Sequence, residues 1–127
     1  MQTYEMVALP HELAICRLGP NEEAPAWALD AGFFSLTRTA DELSIVCPQD
    51  AVPSGVKMSG GWRCLQLRGP LDFNQVGVLA SLAQALAQAG ISIFAISTYE
   101  TENILVQRKD IDRAVSVLRK QGHAVQY

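Results

Sequence analysis

Charge is scarce and scattered in this chain. Only 18% of its 127 residues are charged, for a formal net charge of −3. The basic residues Arg63, Arg68, Arg108, Lys109, Arg113, Arg119 and Lys120 form no run longer than two. A nucleic-acid footprint needs a clustered basic face, so nucleic acid is not an expected partner. No stretch approaches the ~18 consecutive apolar residues of a membrane-spanning helix. Residues 1–8 lack the basic start, apolar middle and cleavage site of a signal peptide. The expectation is a cytoplasmic protein that does not engage a membrane.

Cysteine is also sparse. Cys16, Cys47 and Cys64 lie far apart, each inside an apolar run, and no CxxC pair is present. That pattern predicts reduced, buried thiols, with neither a disulfide nor a metal site. Missing too are a nucleophile elbow, an HExxH helix, a P-loop and a dinucleotide fingerprint. Catalysis would have to come from Cys47, His11, His123, Asp41 or the Glu100/Glu102 pair. His11 follows Pro10 and His123 follows Gly122, which reads both as surface turn residues without a metal-ligand partner. The chain is expected to be no enzyme and to carry no cofactor.

What is present is hydrophobic patterning: 49% of residues are apolar, enough for one globular unit or two small modules. In the second half, 62–68 reads as a strand fenced by Gly60-Gly61 and Gly69-Pro70. Val78, Leu79, Leu82, Ala83, Leu86 and Ala89 then recur at helical spacing, and Gly90 sits where a left-handed cap belongs. Residues 91–99 read as a strand apolar on both faces, and 103–108 as the next strand. Asp110 is the predicted N-cap of a second helix with the stripe Ile111, Ala114, Val115 and Leu118. Arg119 and Lys120 suit its last turn, Gly122 ends it, and 123–127 form a final strand. The order β-α-β-β-α-β is the ferredoxin-like arrangement, an α+β fold with antiparallel sheet and helices on one face.

The first half is a partial echo. Residues 13–18 read as a strand, 25–31 as a short helix, and 33–38 with 43–47 as a hairpin. Then 48–61 breaks off, rich in proline and glycine. The division expected is a partial βαββ unit over 1–60 and a complete βαββαβ unit over 61–127. A sheet cut short leaves an open edge, so completion is expected from the segment 3–9, from the other half, or from a second copy. A homodimer is the expected assembly.

A candidate site lies where the loop 72–78 enters the first helix of the second half. The unpaired N–H groups of Gly77 and Val78, with the helix dipole, favour a carboxylate. Gly77 removes a side chain where a ligand would approach. Thr98, the carbonyls around Tyr99, and the carboxylates Glu100 and Glu102 offer acceptors for an ammonium. A donor-rich helix start facing an acidic turn is complementary to a zwitterion. Blander roles stand beside this one: Gly77 for tight helix–sheet packing, Asn74 as a cap, Tyr99 as core, and the two glutamates as solvated turn charge.

The segments Phe34-Ser35-Leu36-Thr37-Arg38-Thr39, Asp41-Glu42-Leu43-Ser44-Ile45-Val46-Cys47 and Gly69-Pro70-Leu71-Asp72-Phe73 carry a family resemblance. So do Gly77-Val78-Leu79-Ala80-Ser81-Leu82 and Ala89-Gly90-Ile91-Ser92-Ile93-Phe94-Ala95-Ile96-Ser97-Thr98-Tyr99. In this order they resemble the small bacterial tandem ACT-domain proteins related to the CASTOR arginine sensors. The resemblance implies a tandem ACT fold, side-by-side assembly of sheets, and a regulatory sensor that binds a small molecule, an amino acid above all. It implies ligand contacts from Gln75, Val76, Gly77, Val78, Thr98, Tyr99 and Glu102. Glu102 departs from the aspartate usual in the family, and Glu100 departs in the same turn, so the ligand's side chain is left open. The alternative is a ligand-independent interaction module with a vestigial pocket, acting on an unidentified protein target.

Overall fold

Glycine punctuation, apolar stripes and strand alternation organise the chain into eight strands and three α-helices in the computed structural model, which describes residues 2–72 and 74–127. Two compact units result: His11–Trp62, and the residues up to Pro10 together with Arg63–Tyr127. Residues 2–10, expected with 1–60, therefore pack with the other unit.

That larger unit contains β1 (Glu5–Ala8), the second part of β5 (Lys57–Leu67), α2 (Val78–Gln88), β6 (Ile93–Ser97), β7 (Glu102–Gln107), α3 (Ile111–Lys120) and β8 (Ala124–Gln126). From β5 to β8 the order is β-α-β-β-α-β. The strands lie side by side as β6-β7-β5-β1-β8. The N-terminal strand is thus inserted between β5 and β8. It runs antiparallel to β5, with Met6 opposite Leu67, and parallel to β8, with Met6 opposite Val125.

The core forms where the two helical stripes meet one face of this sheet. Val78, Leu82 and Leu86 of α2, with Ile111, Ala114, Val115 and Leu118 of α3, pack on Met6, Leu65, Leu67, Ile104, Val106 and Val125. Both helices stop at glycines with positive φ: Gly90 at +73° and Gly122 at +96°. No helix among the described residues is long and apolar enough to cross a membrane.

Three local expectations for this unit are corrected. β6 is not buried on both faces. It pairs only with β7, and Ala95 and Ser97 are exposed. Ile91, read as part of that strand, is buried ahead of it. Asp110 occupies the N-cap position of α3 but makes no side-chain cap. A 3-10 turn, Arg108–Asp110, runs directly into the helix, and its Arg108 carbonyl takes the Ile111 N–H. The Asp110 carboxylate pairs with Arg113 instead, at 3.0 Å. His123 is not a surface residue: it is only 5% exposed. Its Nδ1 accepts the Tyr4 N–H at 3.0 Å, and the Tyr4 ring stacks on it at 5.6 Å. The inserted β1 brings up that cover from the far end of the chain.

The unit His11–Trp62 holds β2 (Leu13–Leu18), α1 (Ala26–Leu29), β3 (Ser35–Arg38), β4 (Leu43–Pro48) and the start of β5, in the order β3-β4-β2-β5. Alternation puts Leu43, Ile45 and Cys47 on one face, against Ala14, Cys16 and the buried Ala28 of α1. The strand thought to be missing here lies inside the segment read as a break. β5 begins at Lys57, and Lys57 and Ser59 pair with Arg17 and Ile15 of β2.

Gly60-Gly61 therefore does not fence the strand; it bulges it. The register shifts between Leu13 and Ile15, and Gly61 adopts φ +76°, the pattern of a glycine bulge. The Gly61 N–H donates to Gln49 Oε1 at 2.7 Å, and a Cβ on Gly60 would meet the same oxygen at 2.8 Å.

Two outcomes are expected. Gly61→Ala should lower stability by about 1–3 kcal/mol, because its left-handed backbone disfavours a side chain; the urea midpoint measures this. Gly60→Ala should cost less, since the atom it meets ends a flexible side chain. Burial also holds the His123 pKa below its ordinary value. The unfolded chain then binds the proton more readily, so this contribution is intact above about pH 6.5 and is lost as the pH falls towards the depressed folded pKa. Thermal melts on the acid side of neutrality should fall more steeply for the wild type than for His123→Gln.

Candidate ligand-binding site

β5 ends at Leu67, and a loop carries the chain to α2. Asp72 shapes that loop. Its Oδ1 accepts the Asn74 N–H at 2.9 Å and its carbonyl accepts the Gln75 N–H at 3.0 Å. The N-cap of the helix is not Asn74 but Gly77, at φ +82°. A Cβ at Gly77 would meet nothing within 4 Å. The glycine is there for its backbone conformation, not for tight helix–sheet packing. Glycine gives α2 no side-chain cap, and the first-turn N–H groups have no intrahelical acceptors. Val78, the first helical residue, is buried and pins the helix start to the core.

The β6–β7 hairpin forms the opposite wall. The Thr98 N–H donates to the Thr101 carbonyl at 2.9 Å, and the Thr98 hydroxyl donates to the same carbonyl at 3.2 Å. Ser97 and Glu102 face each other in register, and Ser97 Oγ donates to Glu102 Oε2 at 2.6 Å.

Two bonds fasten this turn to the loop. The Leu71 N–H donates to the Glu100 carbonyl at 2.7 Å, and the Thr101 hydroxyl donates to the Leu67 carbonyl at 2.6 Å. A Cβ at Gly69 would lie 2.6 Å from the Glu100 carbonyl oxygen, so only glycine admits this approach.

Between the walls is a cleft of about 550 Å³, within the size range of small-molecule sites. Of the seven residues expected to contact a ligand, Gln75, Gly77, Val78, Thr98, Tyr99 and Glu102 line it. Val76 does not line it and is 95% exposed. Tyr99 is 80% exposed, so it is not core. Phe73, read as part of the same loop, lies outside the described residues. Leu71 and Leu79 also line the cleft; as apolar residues in or beside a helical stripe, they carried no signal beyond core packing. Its charged lining residues are Asp72, Glu100 and Glu102, with no lysine, arginine or histidine among them. The positive end of α2 therefore faces a negative wall.

The thiol considered for catalysis is disarmed by burial. Cys47 is fully buried, and its thiol is pushed up to about 11 by burial first, then by Cys16 and Asp50. Burial alone raises Cys64 to about 12 and is the main cause of the rise at Cys16. All three stay protonated near neutrality, where a thiol nucleophile needs the thiolate. His123 belongs to one compact unit, and His11, Asp41 and Cys47 to the other. Among the described residues no three His, Cys, Asp or Glu side chains group as metal ligands.

Comparison with known proteins gives consistent results. The profile of the ACT domain matches residues 57–120, and a separate N-terminal domain profile matches residues 11–55. The cytosolic arginine sensor for mTORC1 subunit 1 of Homo sapiens is 30% identical over 101 residues, which is 76% of this chain and 29% of that protein. The chain thus spans less than a third of that relative's length. Among solved structures, an Agrobacterium tumefaciens protein superposes with TM-score 0.92 at 37% identity, over 98% of this chain and 93% of that one. The regulatory subunit of aspartate kinase from Thermus thermophilus shares the fold, with TM-score 0.64 at 10% identity over 91% of this chain and 95% of that one.

Proposed function

The chain belongs to the ACT domain family, whose members are regulatory and not catalytic, and from that premise we propose that it senses an amino acid bound in the cleft between α2 and the β6–β7 turn. One observation carries the reading: an uncapped helix start opens into the same cleft as a wall of carboxylates. The ligand's carboxylate takes the free N–H groups at Gly77 and Val78, where the helix dipole adds to the attraction. Its ammonium takes the acidic wall. Ser97 supports Glu102 in that role, since it holds one carboxylate oxygen and so orients the other. The name of the human relative, an arginine sensor, supports the amino-acid class. The cytoplasm is the compartment that suits this role.

A homodimer forms part of the same reading, on different grounds from those the sequence suggested. The unit His11–Trp62 takes its fourth strand from β5, so the strand that was missing from it is found within the chain. The support comes from β6, whose outer edge has no partner among the described residues. Its sequence, Ile93-Phe94-Ala95-Ile96-Ser97, carries no charge or proline to deter pairing. A second copy aligned along this edge would extend the sheet.

Calorimetry against the proteinogenic amino acids tests the binding. At least one should bind, and at a hundred times its dissociation constant should add about 2.7 kcal/mol of stability. Glu102→Gln and Gly77→Ala should each weaken binding tenfold or more, about 1.4 kcal/mol. Were every amino acid to leave the melting temperature unchanged at millimolar concentration, the ligand-independent interaction module would take this reading's place. Light scattering should give twice the chain mass, and Ala95→Lys on the β6 edge should return a monomer.

A further inference from the structure

In the linear chain the basic residues look dispersed, but folding collects half of them. Five of the ten fall within residues 108–120, against two of the thirteen acidic ones. Helix α3 buries Ile111, Ala114, Val115 and Leu118 and turns Asp112, Arg113, Ser116, Arg119 and Lys120 outward. Arg108 and Lys109, just before it, are also exposed.

Two of these guanidinium groups are held in place. Arg113 is bonded to Asp110 at 3.0 Å, and Arg119 donates to the Val125 carbonyl at 2.7 Å. A group already held loses less freedom when it binds. Beside this face runs a second cleft, of about 430 Å³, between α3 and the C-terminal strand. Its exposed apolar surface is the Tyr127 ring, Val115 at its floor being almost wholly buried, and Arg119 and Lys120 give it a charged rim. Asp112, the acid in this cleft, is engaged by the Tyr127 hydroxyl, which donates to it.

We propose that the outer face of α3 with its cleft docks an acidic protein segment, an apolar or aromatic side chain of which packs in the cleft against the exposed Tyr127 ring. The segment's carboxylates then meet Arg119, Lys120 and Arg113. Charge decides the partner. The remainder of the chain holds eleven acidic residues against five basic ones, so an acidic partner is repelled elsewhere and steered to this face.

Fluorescence anisotropy with a short labelled peptide, phenylalanine flanked by glutamates, tests the proposal on the full chain. Saturable binding is expected, weakening at least tenfold in Arg119→Glu/Lys120→Glu and as salt is raised. Binding should also weaken when the peptide's phenylalanine becomes alanine or when Tyr127 becomes alanine. Lys120→Glu alone, a surface change, should weaken binding several-fold while lowering the melting temperature only by the small helix-dipole contribution. Absence of binding, equal binding of a peptide with lysines in place of the glutamates, or wild-type affinity in the charge-reversed variants would overturn the proposal. So would tighter binding of duplex DNA that is lost in the same variants.

Discussion

The candidate site is held together by the approach of its loop to the β6–β7 turn, where the Leu71 N–H donates to the Glu100 carbonyl. The helix start and the acidic turn are 22 residues or more apart in the chain, and neither fixes the other locally. This bond, with that from the Thr101 hydroxyl to the Leu67 carbonyl, sets the base of the cleft, and the two walls diverge from it. Gly69 is the condition for that approach, since a side chain there would strike the Glu100 carbonyl. Donors on one wall and carboxylates on the other then face across a gap of ligand size. No rare chemistry is involved; a glycine, an uncapped helix and a tight turn suffice.

Much of the larger unit is legible from sequence because its signals are local. The stripes Val78/Leu82/Leu86 and Ile111/Ala114/Val115/Leu118 are periodic within one helix, and Gly90 and Gly122 end those helices by backbone preference alone. The loop 72–78 and the turn after Thr98 announce themselves in the same way. Long-range partners carry no such mark. His123 follows a helix-ending glycine and looks exposed until Tyr4, 119 residues earlier, is laid over it. The double glycine at 60–61 is ambiguous for a related reason. A turn and a bulge share that composition, and only Gln49 reaching back to the Gly61 N–H distinguishes them. Asp110 shows a third cause, since a good capping residue was diverted once a 3-10 turn met the helix and Arg113 came within reach.

The two charged regions of the larger unit have complementary characters. The cleft beneath α2 presents carboxylates with no cationic side chain among its lining residues, and the outer face of α3 presents cations with its one lining acid already engaged by tyrosine. Both helices belong to the same packed core, through Leu82, Leu86, Val115 and Leu118. A ligand that orders the start of α2 acts on a helix that shares its buried surface with α3, which is a physical route by which occupancy of one region can be felt at the other.

The insertion of β1 between β5 and β8 bears on how the protein matures during synthesis. Met6 leaves the ribosome before its sheet neighbours Leu67 and Val125. Until the last strand emerges, one edge of β1 has nothing beside it, and this half of the chain stays unfinished. Residues 11–62 already hold all their own strands by then and can condense first. Order of synthesis and order of folding therefore part company here, and β1 settles after segments that are made later.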